Sequence, residues 1–190
     1  ADSLLMGMLF WQVVFIVQYS VSVGSLWNIW SRNLSNVFIT PISLLEYMFS
    51  QSVSGIVKAL LVFAASAIFA VTFFHFNVFT IGILNMTLYF LNLMFFALAL
   101  GVIILGLIFR FGTRIQAFAW GLLPIFQPLC ATFYPVTILP EPLQIIAWML
   151  PPTYIFEAMR ANLSAPNIIQ WNFISMSFIE NIVYFTAAVI

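Results

Sequence analysis

From Tyr47 to Phe109 the chain carries one formally charged side chain, Lys58, and no proline. No water-soluble domain can be built on such a stretch, because its exposed faces would lack polar cover. The solvent that tolerates it is hydrocarbon. A helix needs roughly 20 apolar residues to cross about 30 Å of bilayer core, and several runs here are longer, so the spans are read as helices and not as barrel strands. The whole chain agrees, with 64% hydrophobic and 5% charged residues, where a globular domain carries about 25% charged. Zero formal net charge and a pI near 6.8 exclude a nucleic-acid surface, and a single cysteine, Cys130, excludes a disulfide framework.

The sequence predicts an all-α integral membrane protein with one transmembrane domain over 1–190 and five spans, at about 4–27, 44–74, 80–109, 114–133 and 172–190. In the first, Trp11 marks one interface and Trp27 and Trp30 the other, where amphipathic rings settle. Gln18, Ser22 and Ser25 fall at i, i+4 and i+7, one helix face, which turns toward other helices or toward a water-filled path. Asn85, Tyr89 and Asn92 repeat that spacing in the third span. There helix packing is the reading, since Gly101 and Gly106 allow close approach. The second span exceeds one crossing, so its first turns, with Glu46, Gln51 and Ser54, are expected outside the hydrocarbon. Lys58 then lies at or just inside the boundary and either snorkels or meets a carboxylate. Glu180 in the last span needs a partner or is protonated, and Lys58 is the expected partner. His75 reads as a boundary residue, and no cluster of His, Cys or carboxylates supports a metal site.

Between the spans, 28–43 is polar and punctuated. It suits a short amphipathic helix with Ile29, Leu34, Val37 and Phe38 toward the membrane and Arg32, Asn33 and Asn36 toward water, closed by Pro41. Such a segment rests at the interface or offers a surface to a soluble partner. Arg32, Arg110 and Arg114, three of the four arginines, fall on one side, which the positive-inside rule makes cytoplasmic. Residues 28–43 and 110–114 are then inside, and 134–163 external. Leu123 to Arg160 holds seven of the nine prolines. Pro124 and Pro128 kink the fourth span, while Pro135, Pro140, Pro142, Pro151 and Pro152 break the stretch beyond it into short pieces. Helix-forming composition at 143–150 and 154–163 predicts a re-entrant external cap. The first residues, without a methionine, and the apolar last ones are expected to be cut ends of a longer protein.

No Gly-x-x-x-x-Gly-Lys phosphate loop, Gly-x-Ser-x-Gly elbow or His-Glu-x-x-His helix occurs, so catalysis by this chain has no support. Three patches resemble the permease subunits of type-2 ATP-binding-cassette exporters. They are Thr40-Pro41-Ile42-Ser43 with Glu46; Arg110-Phe-Gly-Thr-Arg114 leading to Gln127-Pro128; and Tyr134-Pro135, Leu139-Pro140, Pro151-Pro152-Thr153-Tyr154 and Arg160. Pro152 stands where that signature often has an aliphatic residue, and five spans stand where the family has six after an elbow helix.

The resemblance implies an ATP-driven exporter moving an amphipathic drug, lipid or lipid-linked glycan by alternating access. Its partners would be two ATPase subunits, which bind ATP and magnesium, a second permease copy or close relative, and the bilayer of the inner or plasma membrane. Arg32, Asn33, Leu34, Val37, Phe38 and Pro41 would couple to the ATPase. Gln12, Gln18, Ser22, Ser25, Gln116, Trp120 and Gln127 would border the path. Tyr134, Pro135, Pro140, Pro151, Tyr154, Glu157 and Arg160 would form the external gate, with Glu157 and Arg160 paired. The competing class is an intramembrane enzyme or scaffold whose polar faces only hold helices together.

Overall fold

Apolar residues surround helix α1 (Asp2–Trp30) on nearly every side, the pattern of a helix enclosed by others. In the computed structural model, which describes residues 2–33, 36, 39, 41–165 and 168–189, α1 is the axis of the molecule. It packs between α2 (Leu44–Phe74) and α3 (Ile83–Phe111), burying Phe10, Val14, Val17, Val21 and Leu26 completely. Small residues set those approaches. A Cβ on Gly55 would stand 3.1 Å from Ser20 Cβ, and one on Gly101 would stand 2.9 Å from Val21 Cβ, whereas Gly106 has nothing within 4 Å. Gly101 therefore serves close helix approach, and Gly106 does not.

The start of α2 is written in its sequence as a capping box. Ser43 Oγ accepts from the Glu46 N–H at 3.2 Å, and the Glu46 carboxylate accepts from the Ser43 N–H at 2.8 Å. The helix ends at His75 in the left-handed conformation, φ 53°, with its N–H on the Ala70 carbonyl. Of the most apolar window in α2 only 17% is buried, against 61% in α1 and 56% in α3, so most of its surface faces lipid or another chain.

Helices α1, α2 and α3 are long and apolar enough to cross a membrane. They are followed by α4 (Gln116–Leu129), α5 (Glu141–Trp148), α6 (Pro151–Ser164) and α7 (Trp171–Val189), and no strand occurs among the described residues. The fourth expected span is thus a 14-residue helix entered through a 3-10 turn, Gly112–Ile115, with Pro124 and Pro128 inside it. The fifth is a 19-residue helix diluted by Glu180 and Asn181. Both cap helices begin two or three residues before their expected starts. Pro142, Pro151 and Pro152 do not break them but occupy their first turns, where no backbone donor is required.

The ends of the bundle are distinct. One gathers the start of α1, the 3-10 turn Val78–Ile81 and the segment from Cys130 to Ala165. The other carries residues 28–33, 41–43 and the turn after α3. Among the described residues the ion pair is Arg160–Glu157. The expected approach of Glu180 to Lys58 does not occur, because α7 packs on α3 and α6 while α2 packs on α1. Lys58 is exposed, and Glu180 lies beside Tyr154 and Tyr184.

A Cβ on Gly7 would run into the backbone carbonyl of Thr132, which cannot swing away as a side-chain tip would. Gly7→Ala is therefore expected to destabilise by about 1–3 kcal/mol. Gly106→Ala, in open space, should instead gain up to about 1 kcal/mol of helix propensity. Thermal unfolding midpoints in detergent distinguish the two, and an unshifted Gly7→Ala midpoint would show that α1 is not seated on the Thr132 turn.

Candidate functional site

Polar side chains of α1 fall into two sets that the sequence spacing alone does not separate. Gln18, Ser22 and Ser25 are buried completely. Gln18 Nε2 donates to Ser22 Oγ at 2.7 Å and to the Ala119 carbonyl of α4 at 3.4 Å, while Ser22 and Ser25 hydroxyls return to the carbonyls of Gln18 and Val21. Tyr47 of α2 donates to Ser25 Oγ at 3.2 Å and accepts from Asn28 Nδ2 at 2.9 Å. This face is a hydrogen-bonded seam between α1, α2 and α4. Within a single chain, these three residues do not border open space.

The open face of α1 is Met8, Gln12, Phe15 and Tyr19, at spacings of four, three and four. Phe15 stacks on Tyr19 at 5.3 Å between centroids, and Tyr19 meets Trp120 of α4 edge-on at 4.8 Å. Gln116 and Trp120 are exposed and Gln127 is half-buried. Of the expected path residues, Gln12, Gln116 and Trp120 thus share accessible surface, and Phe15 and Tyr19 join them. Their i, i+4, i+7, i+11 register with Met8 is the signal that marks them.

At the 28–43 end, Leu34, Val37 and Phe38 lie outside the described residues. Arg32, in the turn that follows α1, takes φ 54°, and both it and Asn33 are exposed. Asn33 Oδ1 accepts from Asn36 Nδ2 at 3.2 Å. Pro41 is exposed and lines a polar cleft of about 490 Å³ with Asn28, Glu46, Tyr47 and Gln51.

The proline-rich end is tied by one charged cluster. Arg160 donates to Glu157 Oε1 at 2.9 Å and to the Ala131 carbonyl at 2.9 Å, and Glu157 Oε1 also accepts from the Val136 N–H at 2.8 Å. Helix α6 is thereby fastened to the turn after α4, where Ala131 takes φ 50°. Tyr134 donates to the Pro128 carbonyl at 2.7 Å, Pro135 caps the 3-10 turn Val136–Ile138, and Pro140 precedes α5. Tyr154 packs on Trp148 at 4.9 Å.

Beneath this cluster lies a buried polar hub that spacing marked only as a packing face. Ser177 donates to Asn92 Oδ1 at 2.6 Å and to the Pro151 carbonyl at 2.8 Å. Asn181 Nδ2 donates to the Asn92 backbone carbonyl at 3.1 Å and to Asn92 Oδ1. Higher on the same face of α3, Asn85 Nδ2 reaches the Ile168 carbonyl at 3.3 Å.

Helices α1 to α6 correspond to a known unit: the family model for ABC-2 type transporters matches residues 2–164. The chain belongs to the ABC-2 type transporter family. No curated protein and no solved structure matches it. An ABC-2 permease is the multi-pass, membrane-spanning component of an ABC transporter. Permeases of this family generally work with ATP-binding-cassette ATPases. The matched residues stop before α7, yet Ser177 and Asn181 knit that helix to the permease through Asn92.

Proposed function

We propose that this ABC-2 permease exports an amphipathic substrate, a drug, lipid or lipid-linked glycan, from the inner or plasma membrane. It does so as one of two permease copies, or beside a close relative, over two ATPase subunits that bind ATP and magnesium. The observation carrying this reading is the open stripe of Gln12, Phe15 and Tyr19 against Trp120. Aromatic rings and an amide at membrane depth offer an amphipath both an apolar surface and a hydrogen-bonding group. In a symmetric pair this face of one copy would meet its counterpart across the axis.

Residues 28–43 and 110–114 are assigned to the cytoplasm by their arginines, which puts 134–163 outside. Five spans are counted, α4 and α7 among them. Support for re-entrance of the cap comes from depth along α3. Asn85 and Asn92 are seven residues apart, about 10 Å, and α6 begins at the level of Asn92 while the chain beyond its end passes Asn85. Helices α5 and α6 would then dip into the outer leaflet and close the path from above, with Glu157 and Arg160 holding the gate.

Contact with the ATPase is assigned to 32–41. Replacing residues 34–38 by alanine should leave ATP hydrolysis running but lower ATP-driven substrate uptake into inside-out vesicles by about tenfold. Transport that stays coupled in that variant would remove the assignment. Vesicles that show no ATP-driven uptake with the intact permease would favour a scaffold role.

A further inference from the structure

Lys58 is the one formally charged side chain between Glu46 and Arg110. Its face is set by register: Leu61, Ala65 and Phe69 stand at i+3, i+7 and i+11, and Ala65 and Phe69 border Met8 and Leu5 of α1 around a cavity of about 320 Å³. Met8 is the first residue of the open α1 stripe, so Lys58 looks to the same side as Gln12, Phe15 and Tyr19. Its depth is fixed by two contacts. Gly55 sits against Val17 and Ser20, and Phe63 packs on Phe10 with centroids 5.0 Å apart. Lys58, between them on α2, is therefore level with Phe15.

At that level the ammonium has no counter-charge among the described residues. Of the five carboxylates, Glu46 is capped by Ser43 about 18 Å down α2. Glu157 is paired with Arg160, and Glu180 is on α7, which packs against α3 and α6. Asp2 lies about 20 Å from Phe15 along α1, and Glu141 opens α5. The Asn28–Tyr47 bond sets the start of α2 level with the Trp27 end of α1, so the boundary lies nearer Glu46 than the expected Ser54, and the lysine stem, which reaches about 6 Å, does not span that distance. An intramembrane cation of this kind marks a path or a ligand.

We infer that Lys58 is the specificity residue of the path and selects a substrate with an anionic headgroup, of the phosphate-ester type, whose chains lie along the aromatic stripe. This rests on the path reading above and narrows its substrate class. Uncharged amides and rings alone would not discriminate by charge; one unpaired lysine level with them does.

The test uses the full chain with its ATPase in phosphatidylcholine vesicles, with phosphatidylglycerol as the anionic probe. Spin-labelled phosphatidylglycerol and phosphatidylcholine report lipid selectivity, and ATP hydrolysis is titrated with phosphatidylglycerol in parallel. Lys58→Gln should abolish most of the preference for the anionic lipid and raise its half-saturating concentration for hydrolysis about tenfold, while Lys58→Arg keeps both. Unchanged selectivity in Lys58→Gln overturns the inference. So does selectivity that falls while the hydrolysis response stays as in the wild type, since the lysine then holds a boundary lipid and not cargo. Failure of the exporter reading shows separately, as vesicles in which the intact permease drives no ATP-dependent uptake, and leaves the lipid-selectivity arm to decide the role of Lys58.

Discussion

Replacing Asn92 with leucine is expected to loosen α7 from α3 and lower stability by about 2 kcal/mol. The side chain accepts from Ser177 and Asn181 and donates to the Ile174 carbonyl at 3.5 Å, all in a buried setting. Leucine leaves those groups short of partners where no water competes for them. The bond from the Asn181 side-chain amide to the Asn92 backbone carbonyl survives, which keeps the loss below the sum of the parts. For a chain of this size the unfolding midpoint should fall by roughly 4–8 °C. The double variant Asn92→Leu with Asn181→Leu should recover part of that loss, because removing both partners spares the penalty of a stranded donor. Strictly additive losses would mean that the two side chains do not act as a unit.

The second large effect concerns Arg160. Its side chain and that of Glu157 are only 15% and 20% exposed, so screening weakens but does not cancel the pair. Arg160→Ala removes the bond to the Ala131 carbonyl as well as the pair, at about 1–2 kcal/mol, and frees the turn from 131 to 136 to open. Cys130, the sole cysteine, is buried at the head of that turn and reports its opening. Labelling by a fluorogenic maleimide should accelerate about tenfold in Arg160→Ala. Arg160→Lys should fall between, since lysine keeps the charge but not the planar fork that reaches two acceptors. Labelling rates equal to the wild type in both variants would show that this cluster does not hold the cap.

Local features were legible in the sequence. Helix α2 starts at Leu44 because Ser43 and Glu46 form a box whose chemistry is entirely local. The Glu157–Arg160 pair, one turn apart, was legible for the same reason. Tertiary choices were not. Periodicity puts Gln18, Ser22 and Ser25 on one face but does not say that α4 and Tyr47 cover it, leaving Gln12 and Phe15 on the open side. Counting charges matches Glu180 with Lys58, yet α1 and α3 stand between their helices, and no one-dimensional signal carries that order. The prolines of the cap read as breakers because composition does not distinguish a first turn from a helix interior.

The prolines inside α4 leave a mark on the exposed edge of the helix that hydropathy does not register. Proline has no N–H to offer the carbonyl four residues earlier, so Pro124 leaves the Trp120 oxygen, and Pro128 the Pro124 oxygen, without the usual donor. Trp120, Pro124 and Pro128 are all exposed and succeed one another at four-residue steps. Seen by its side chains, that edge is greasy; seen by its backbone, it carries beside Tyr19 two carbonyl oxygens that lack their usual helical donor. Such oxygens in a membrane draw in water or a hydroxyl-bearing guest, which gives a nominally apolar helix the means to wet the surface along which it runs.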